Sequence, residues 1–204
     1  MTDNPTANFW NRQFSSQAFR YGTEPNAFLQ MQSRLISPPA NILVPGDGEG
    51  RNSVWLAQQG HRVLAMDASD VGLRKAEELA SRCDVQVRTV LADLASWQPN
   101  EVFDALVLTY VHLPQAIRAD AHRRLVQALR SGGLLVLEAF HPNQLGRSSG
   151  GPQQADMLYS LETLRGDFAR LIQEEFAEEC ETLLNEGVGH QGQAYVTRMV
   201  GRRI

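Results

Sequence analysis

Apolar residues along the chain gather in short runs separated by longer stretches of helical period. The runs at 41–45, 62–66, 85–90, 103–109 and 133–140 are rich in Val, Leu and Ala, and polar or turn-forming residues bound them, as expected of strands buried in a sheet. Between them, "DVGLRKAEELASR" can be capped by Ser69 or Asp70. A helix following Pro114 places Ile117, Ala121, Leu125 and Leu129 on one stripe. The "SGG" at 131–133 then stops that helix ahead of "LLVLEAF". Strands that alternate with helices predict a parallel sheet covered on both faces. Upstream, Asn26 is placed to cap a helix carrying Phe28, Leu29, Leu35 and Ile36.

Beyond Phe140 the period disappears. The stretch 141–160, "HPNQLGRSSGGPQQADMLYS", is rich in Gly, Ser, Pro and Gln, a texture expected of a lid over a site or of a disordered segment. A helix is predicted at 161–173. Two strand-like segments follow, "EFAEECETLLNEG" and "GQAYVTRMVGR", and their direct succession predicts an antiparallel hairpin closing the sheet. The expected fold is therefore α/β: a doubly wound, mostly parallel sheet with helices on both faces and an antiparallel C-terminal hairpin. The 204 residues suit a single domain, 1–204, with 1–40 as a helical N-terminal cap.

Composition narrows the function classes. Hydrophobic content is 43% and charged content 21%, and no apolar run approaches the roughly 20 residues a membrane span needs. The start, "MTDNPTANFWNRQF", lacks a basic segment followed by an apolar core, so a cytoplasmic location is expected. A net charge of −4 argues against a broad basic face for nucleic acid and favours a small-molecule partner. Cys83 and Cys180 lie far apart and form no CxxC pair, which predicts two free thiols and neither a metal site nor a disulfide framework. The oligomeric state is left open.

Candidate chemistry centres on "NILVPGDGEGRNSVWLA", residues 41–57, where Gly46, Gly48 and Gly50 join a strand to a helix. The spacing is G-x-G-x-G; a dinucleotide fingerprint would place its third glycine at Arg51. The second strand ends in Asp67, 19 residues after Gly48, where a carboxylate can accept both hydroxyls of a ribose. Asp93, after the third strand, suits an adenine amino group. NAD-binding and adenosyl-cofactor folds share these devices. Asp47 and Glu49 would repel a pyrophosphate and tolerate a sulfonium, which favours the adenosyl cofactor.

In order and spacing, "VPGDGEGRN", "AMDAS", "LADL", "FDALVLTYVHLP" and "LRSGGLLVLEAF" resemble the successive motifs of class I S-adenosylmethionine-dependent methyltransferases, over roughly residues 9–204. "YGTEPN", "GEGRNS" and "GGP" are similar to the tellurite-resistance and thiopurine-methyltransferase-like branch. The resemblance implies a seven-stranded sheet with the last strand inserted antiparallel. It implies S-adenosyl-L-methionine as cofactor, with Gly46, Gly48 and Gly50 along its methionine and ribose. Asp67 would hold the ribose hydroxyls, Ala68 would face the adenine side, and Asp93 with Leu94 would hold the adenine. Thr109 and Tyr110 would flank the sulfonium. Pro45 and Gly46 replace the family's usual acidic-Gly start, so Asp47 or Glu49 would have to serve the methionine amino group.

Methyl transfer from a sulfonium is an in-line displacement that positioning alone can drive, so no catalytic side chain is obligatory. A base is required only where the acceptor must lose a proton. His112, just past the fourth strand, is the first catalytic candidate, and Tyr21 is a second candidate for cofactor or acceptor contact. Arg51 can reach an anionic acceptor or make a local salt bridge, whereas His141 and His190 read as histidines of flexible regions. The expected activity is methyl transfer to a small acceptor, a thiol or a selenium- or tellurium-derived nucleophile. The alternatives are an NAD(P)-dependent reductase, for which no Tyr-x-x-x-Lys pair is present, and a non-catalytic S-adenosylmethionine-binding protein.

Overall fold

The computed structural model describes residues 4–204, whose fold is organised by one seven-stranded sheet. Its strands are β1 (Asn41–Pro45), β2 (Arg62–Asp67), β3 (Arg88–Leu91), β4 (Phe103–Thr109), β5 (Leu129–Phe140), β6 (Ile172–Glu186) and β7 (His190–Arg203), in the order β3-β2-β1-β4-β5-β7-β6. The first five pair in parallel, and β7 inserts antiparallel between β5 and β6. Because β1, β2, β4 and β5 are covered on both faces, alternate residues feed two cores. Leu43, Met66, Leu106 and Leu137 meet helices α5 (Gln115–Gln127) and α6 (Leu161–Asp167). Ile42, Val44, Ala105 and Val136 meet α2 (Ala27–Gln32) and α3 (Arg51–Gln58). Helix α4 (Asp70–Arg82) packs on β2, β3 and α3, and α1 (Pro5–Gln13) packs on α4.

Local chemistry sets the helix starts. Asn26 Oδ1 accepts the Leu29 amide and Ser69 Oγ accepts the Gly72 amide, so Ser69 rather than Asp70 caps α4. Several boundaries differ from expectation. Leu129 is not on the α5 stripe: the helix ends at Gln127 and Leu129 opens β5 opposite Phe103. A register irregularity between Phe103 and Ala105 takes up the glycines at 132–133, where Gly132 adopts φ 72°. Helix α2 stops at Gln32, with Leu35 in a 3₁₀ turn, α6 ends at Asp167, and β3 begins at Arg88.

The inserted strand determines what stands at the ligand edge. Phe140, the carboxyl end of β5, pairs with Val196, and β7 continues back to His190, which pairs with Glu186. The hairpin tip at 187–189 therefore overhangs the carboxyl edge of the parallel strands. The segment 141–160 runs beside this overhang. Gln144 bonds Ser149, the Gly150 carbonyl and the Tyr195 amide, and Leu158 packs with Phe140, Leu184 and Ala194. Among the described residues, no helix is long and apolar enough to cross a membrane.

Candidate functional site

The turn between β1 and α3 has all three glycines in left-handed backbone, with φ 64° at Gly46, 62° at Gly48 and 90° at Gly50. At Gly50 the requirement is also steric, since a Cβ would lie 2.6 Å from Cα and Cβ of Ala76 on α4. Behind the turn, Asp67 accepts the Gly48 amide on Oδ2 and the Ser69 amide on Oδ1, both at 2.8 Å. Burial raises its pKa, against the pull of these amides and that of Ala68. A carboxylate offers about four lone-pair directions, so beyond the Gly48 and Ser69 amides acceptor capacity remains for the ribose.

Asp47 and Glu49 part ways. The Asp47 carboxylate accepts both the hydroxyl and the amide of Ser53, and burial lifts its pKa to about 7. Glu49 is committed: it pairs with Lys75 and accepts the Arg20 amide at 2.7 Å. Of the two, only Asp47 has bonds to Ser53 alone and could turn toward a methionine amino group.

A strap formed by residues 14–22 lies over the turn. Phe14 covers Gly48, and Lys75 Nζ binds the carbonyls of Ser16 and Ala18 while it pairs with Glu49. The strap ends on the hairpin tip, where the Arg20 carbonyl accepts the Gly189 amide at 2.9 Å and the Tyr21 ring sits 4.4 Å from that of His190. Asp93, half-buried, accepts the side-chain amide of Asn4 at 2.8 Å, the kind of donor an adenine amino group would present. Leu94 is buried in the core below, and Ala68 is half-buried at the β2–α4 junction.

The remaining candidates separate into a cluster at the edge and a strut beneath it. Thr109 Oγ1 accepts from Asn52 at 2.7 Å. Tyr110 adopts φ 55°, a costly conformation for an aromatic residue, and its hydroxyl donates to Glu138 at 2.7 Å. Its ring stacks on Phe140 and meets His190 edge-on at 4.4 Å. His112 lies beneath. The Phe140 amide donates to Nε2, which places the ring proton on Nδ1, and that N–H donates to the Met157 carbonyl at 2.6 Å. Burial pulls its pKa down to about 4. A ring with both nitrogens on the backbone has no lone pair left for a substrate, so His112 holds the 141–160 segment to β5 rather than serving as a base.

His190, expected in a flexible region, is instead 4% exposed at the centre of the cluster. Its Nδ1 faces Glu186 at 3.0 Å, and Glu186 pairs with Arg51 Nη2 at the same distance. Burial would raise the Glu186 carboxyl, but His190 and Arg51 outweigh it and hold the pKa low. Asn26 bridges Glu138 and Glu186 with its amide, and Arg198 closes on Glu138. Glu186 and His190 carry no motif spacing, because the hairpin overhang brings them to the edge, while Glu138 reaches it from β5, opposite Thr109. The signal that could have found two of them is the Gly-rich tip itself, flanked by Glu186 and His190. His141 stands apart, 3.4 Å from Glu179. A groove of about 720 Å³ occurs elsewhere, at the opposite edge of the sheet beside His61, Arg62, Arg88 and Glu101; none of the glycine-turn residues lines it, and nothing joins it to this chemistry.

The fold and the edge define a class. Residues 42–133, from β1 into β5, match the family described as "Methyltransferase domain", and the fold is that of Rossmann-like S-adenosylmethionine-dependent methyltransferases. The cofactor of that class is S-adenosylmethionine. Thiocyanate methyltransferase 1 of Brassica oleracea is 37% identical over 76 residues, 36% of this chain and 33% of that protein, so the match spans a third of the relative's length. Among solved structures, TehB from Haemophilus influenzae aligns with TM-score 0.73 at 17% identity, covering 98% of this chain and 67% of that one. The N-methyltransferase NodS from Bradyrhizobium japonicum, in complex with S-adenosyl-L-homocysteine, gives TM-score 0.73 at 17% identity over 98% and 99% of the two chains. A structure concerned with conversion of a disulfide bond into a thioacetal group in echinomycin biosynthesis gives 0.78 at 15% identity over 97% and 89%. At these identities the structural likeness is one of fold.

Proposed function

We propose that the protein is a cytoplasmic enzyme that transfers a methyl group from S-adenosylmethionine to a small, soft nucleophile of the thiol or chalcogen type. The observation that carries this reading is the buried Asp67 carboxylate, clasped to the Gly48 amide behind the glycine turn with acceptor capacity to spare. At the same turn Asp47 is bonded to Ser53 and Glu49 to Lys75, so these side chains offer a pyrophosphate no free cation, which disfavours a nicotinamide cofactor. The cofactor supplies an activated methyl group on a sulfonium; the chain binds, orients and keeps water out. Asp67 and Asp93 hold the adenosine, with Ala68 and Leu94 beside it, while Thr109 and Tyr110 stand where the fourth strand delivers its end to the methyl group. Tyr21 and His190 close the edge from the strap and the hairpin.

The acceptor class follows from what the edge lacks. His112 is locked, and burial together with the Glu138 charge pushes the Tyr110 hydroxyl well above its ordinary pKa. An acceptor that arrives with a reactive lone pair suits such a site better than an alcohol that must be deprotonated. Thiocyanate methyltransferase 1 is named for sulfur chemistry, which supports the same choice. The test is turnover. Purified protein with S-adenosylmethionine and, separately, thiocyanate, hydrosulfide, methaneselenolate or 2-mercaptoethanol should release S-adenosylhomocysteine with at least one of them. Binding of S-adenosylhomocysteine without turnover of any acceptor in a wider panel would instead make the protein a sensor of the cofactor.

A further inference from the structure

Arg51 opens α3 directly after the glycine turn and is 7% exposed. Its Nη2 is taken by Glu186, while Nη1 is buried without a hydrogen-bond partner. A buried guanidinium N–H left bare is costly, and native folds rarely tolerate one unless a ligand supplies the acceptor. A second such group lies close by, the buried Nε of Arg20, likewise without a partner. The charges of Arg20 and Arg51 both act on the Tyr21 hydroxyl, and that of Arg51 reaches Tyr110, His190 and Asp47 as well. Both guanidinium groups therefore lie near Tyr21, and that of Arg51 also near Tyr110 and His190, at the junction of glycine turn, strap and hairpin tip.

We propose that Arg51, assisted by Arg20, forms the acceptor site, and that it takes a small, polarisable monoanion such as a thiolate, hydrosulfide or thiocyanate. This inference rests on the methyl-transfer reading and adds the charge and size of its substrate. Glu49, Glu138 and Glu186 are each balanced by one cation, Lys75, Arg198 and Arg51, so the site has no surplus of positive charge for a polyanion such as a phosphate ester, whereas the bare N–H groups can meet a single negative charge. The rings of Tyr21, Tyr110, His190 and Phe140 offer sulfur the edge contacts it favours and little hydration to a hard anion. The reaction balances without a base. The anion's lone pair forms the bond to the methyl carbon as the carbon–sulfur bond breaks, and the pair returns to sulfur; anion and sulfonium become two neutral products and no proton moves. Arg51 is a specificity-determining residue that holds the anion in line.

The test compares wild type with Arg51→Lys and Arg51→Gln, each first checked for folding by its melting transition; the lysine keeps a cation for Glu186 and loses the fork. Thiocyanate and hydrosulfide are the anionic probes and dimethyl sulfide the neutral one. Loss of one charge-assisted hydrogen bond raises KM for the anions by about ten- to a hundredfold in both variants. The KM for dimethyl sulfide and the dissociation constant of S-adenosylhomocysteine stay within about twofold, the spread of ordinary context effects. Weakened binding of S-adenosylhomocysteine with unchanged binding of 5′-methylthioadenosine, which lacks the carboxylate, would assign the guanidinium to the cofactor and overturn the proposal. Unchanged KM for the anions, or a wild type that binds S-adenosylhomocysteine and turns over neither anion, overturns it too. A wild type that fails to bind S-adenosylhomocysteine defeats the methyl-transfer reading beneath it.

Discussion

Replacing Asp67 by alanine separates the structural from the ligand-binding work of one carboxylate. In the protein it accepts two amides at 2.8 Å, from Gly48 and Ser69, and is 7% exposed. The alanine variant orphans both donors, each worth about 1–3 kcal/mol when buried, but it also removes an ionised group whose burial is itself unfavourable. A net stability loss of about 1–3 kcal/mol follows, visible as a drop in melting temperature. Ligand binding loses more specifically. Charge-assisted hydrogen bonds to two ribose hydroxyls are together worth about 1–3 kcal/mol after competition with water, so the dissociation constant of S-adenosylhomocysteine rises about 5- to 150-fold. Asp67→Asn keeps the side chain's size and one acceptor oxygen and should fall between the two. Calorimetric titration of each folded variant reads this directly. A folded alanine variant with wild-type affinity would refute the assignment of Asp67 to the ribose.

Other consequences are as direct. Gly50→Ala forces a Cβ to 2.6 Å from Ala76 at φ 90°, and the strain and clash together should cost about 2–5 kcal/mol by chemical denaturation. Lys75→Met leaves Glu49 buried and unpaired, costing about 3–5 kcal/mol, and frees the strap, so limited proteolysis should cut at residues 14–22 earlier than in wild type. Burial raises Asp47 from the ordinary 3.8 to about 7, so the folded protein holds its proton more tightly than the unfolded chain does. The stabilisation this gives is complete below the unfolded value and is lost as pH rises through the folded one. Thermal stability of wild type relative to Asp47→Asn should therefore fall between about pH 4 and pH 7 and level off above; a flat difference would contradict the burial argument.

Most of the parallel sheet was legible because β1, β2, β4 and β5 are buried on both faces, and a strand so placed must be an apolar run whatever it binds. The glycine turn with Asp67 was legible for the related reason that backbone geometry restricts residue choice. Helix α1 left no apolar stripe because none of its described residues is fully buried, and Phe9 is 47% exposed. Leu129 deceived because the same leucine suits a helix stripe or a strand, and only pairing with Phe103 decides. His112 looked like a base since it follows the fourth strand, yet that position also faces the Met157 carbonyl and the Phe140 amide, which no local pattern reveals. His190 and Glu186 were hidden most deeply. Their place depends on the antiparallel insertion of β7 and on how far the hairpin extends past Phe140, a property of the whole sheet.

The central claim is that the glycine turn and Asp67 hold an adenosyl cofactor without a pyrophosphate. It is tested most directly by isothermal titration of the purified protein with S-adenosylhomocysteine, with NADH and NADPH as parallel titrants. Saturable binding of S-adenosylhomocysteine alone is the predicted result. Saturable binding of a nicotinamide nucleotide, or of none of the three, would contradict it.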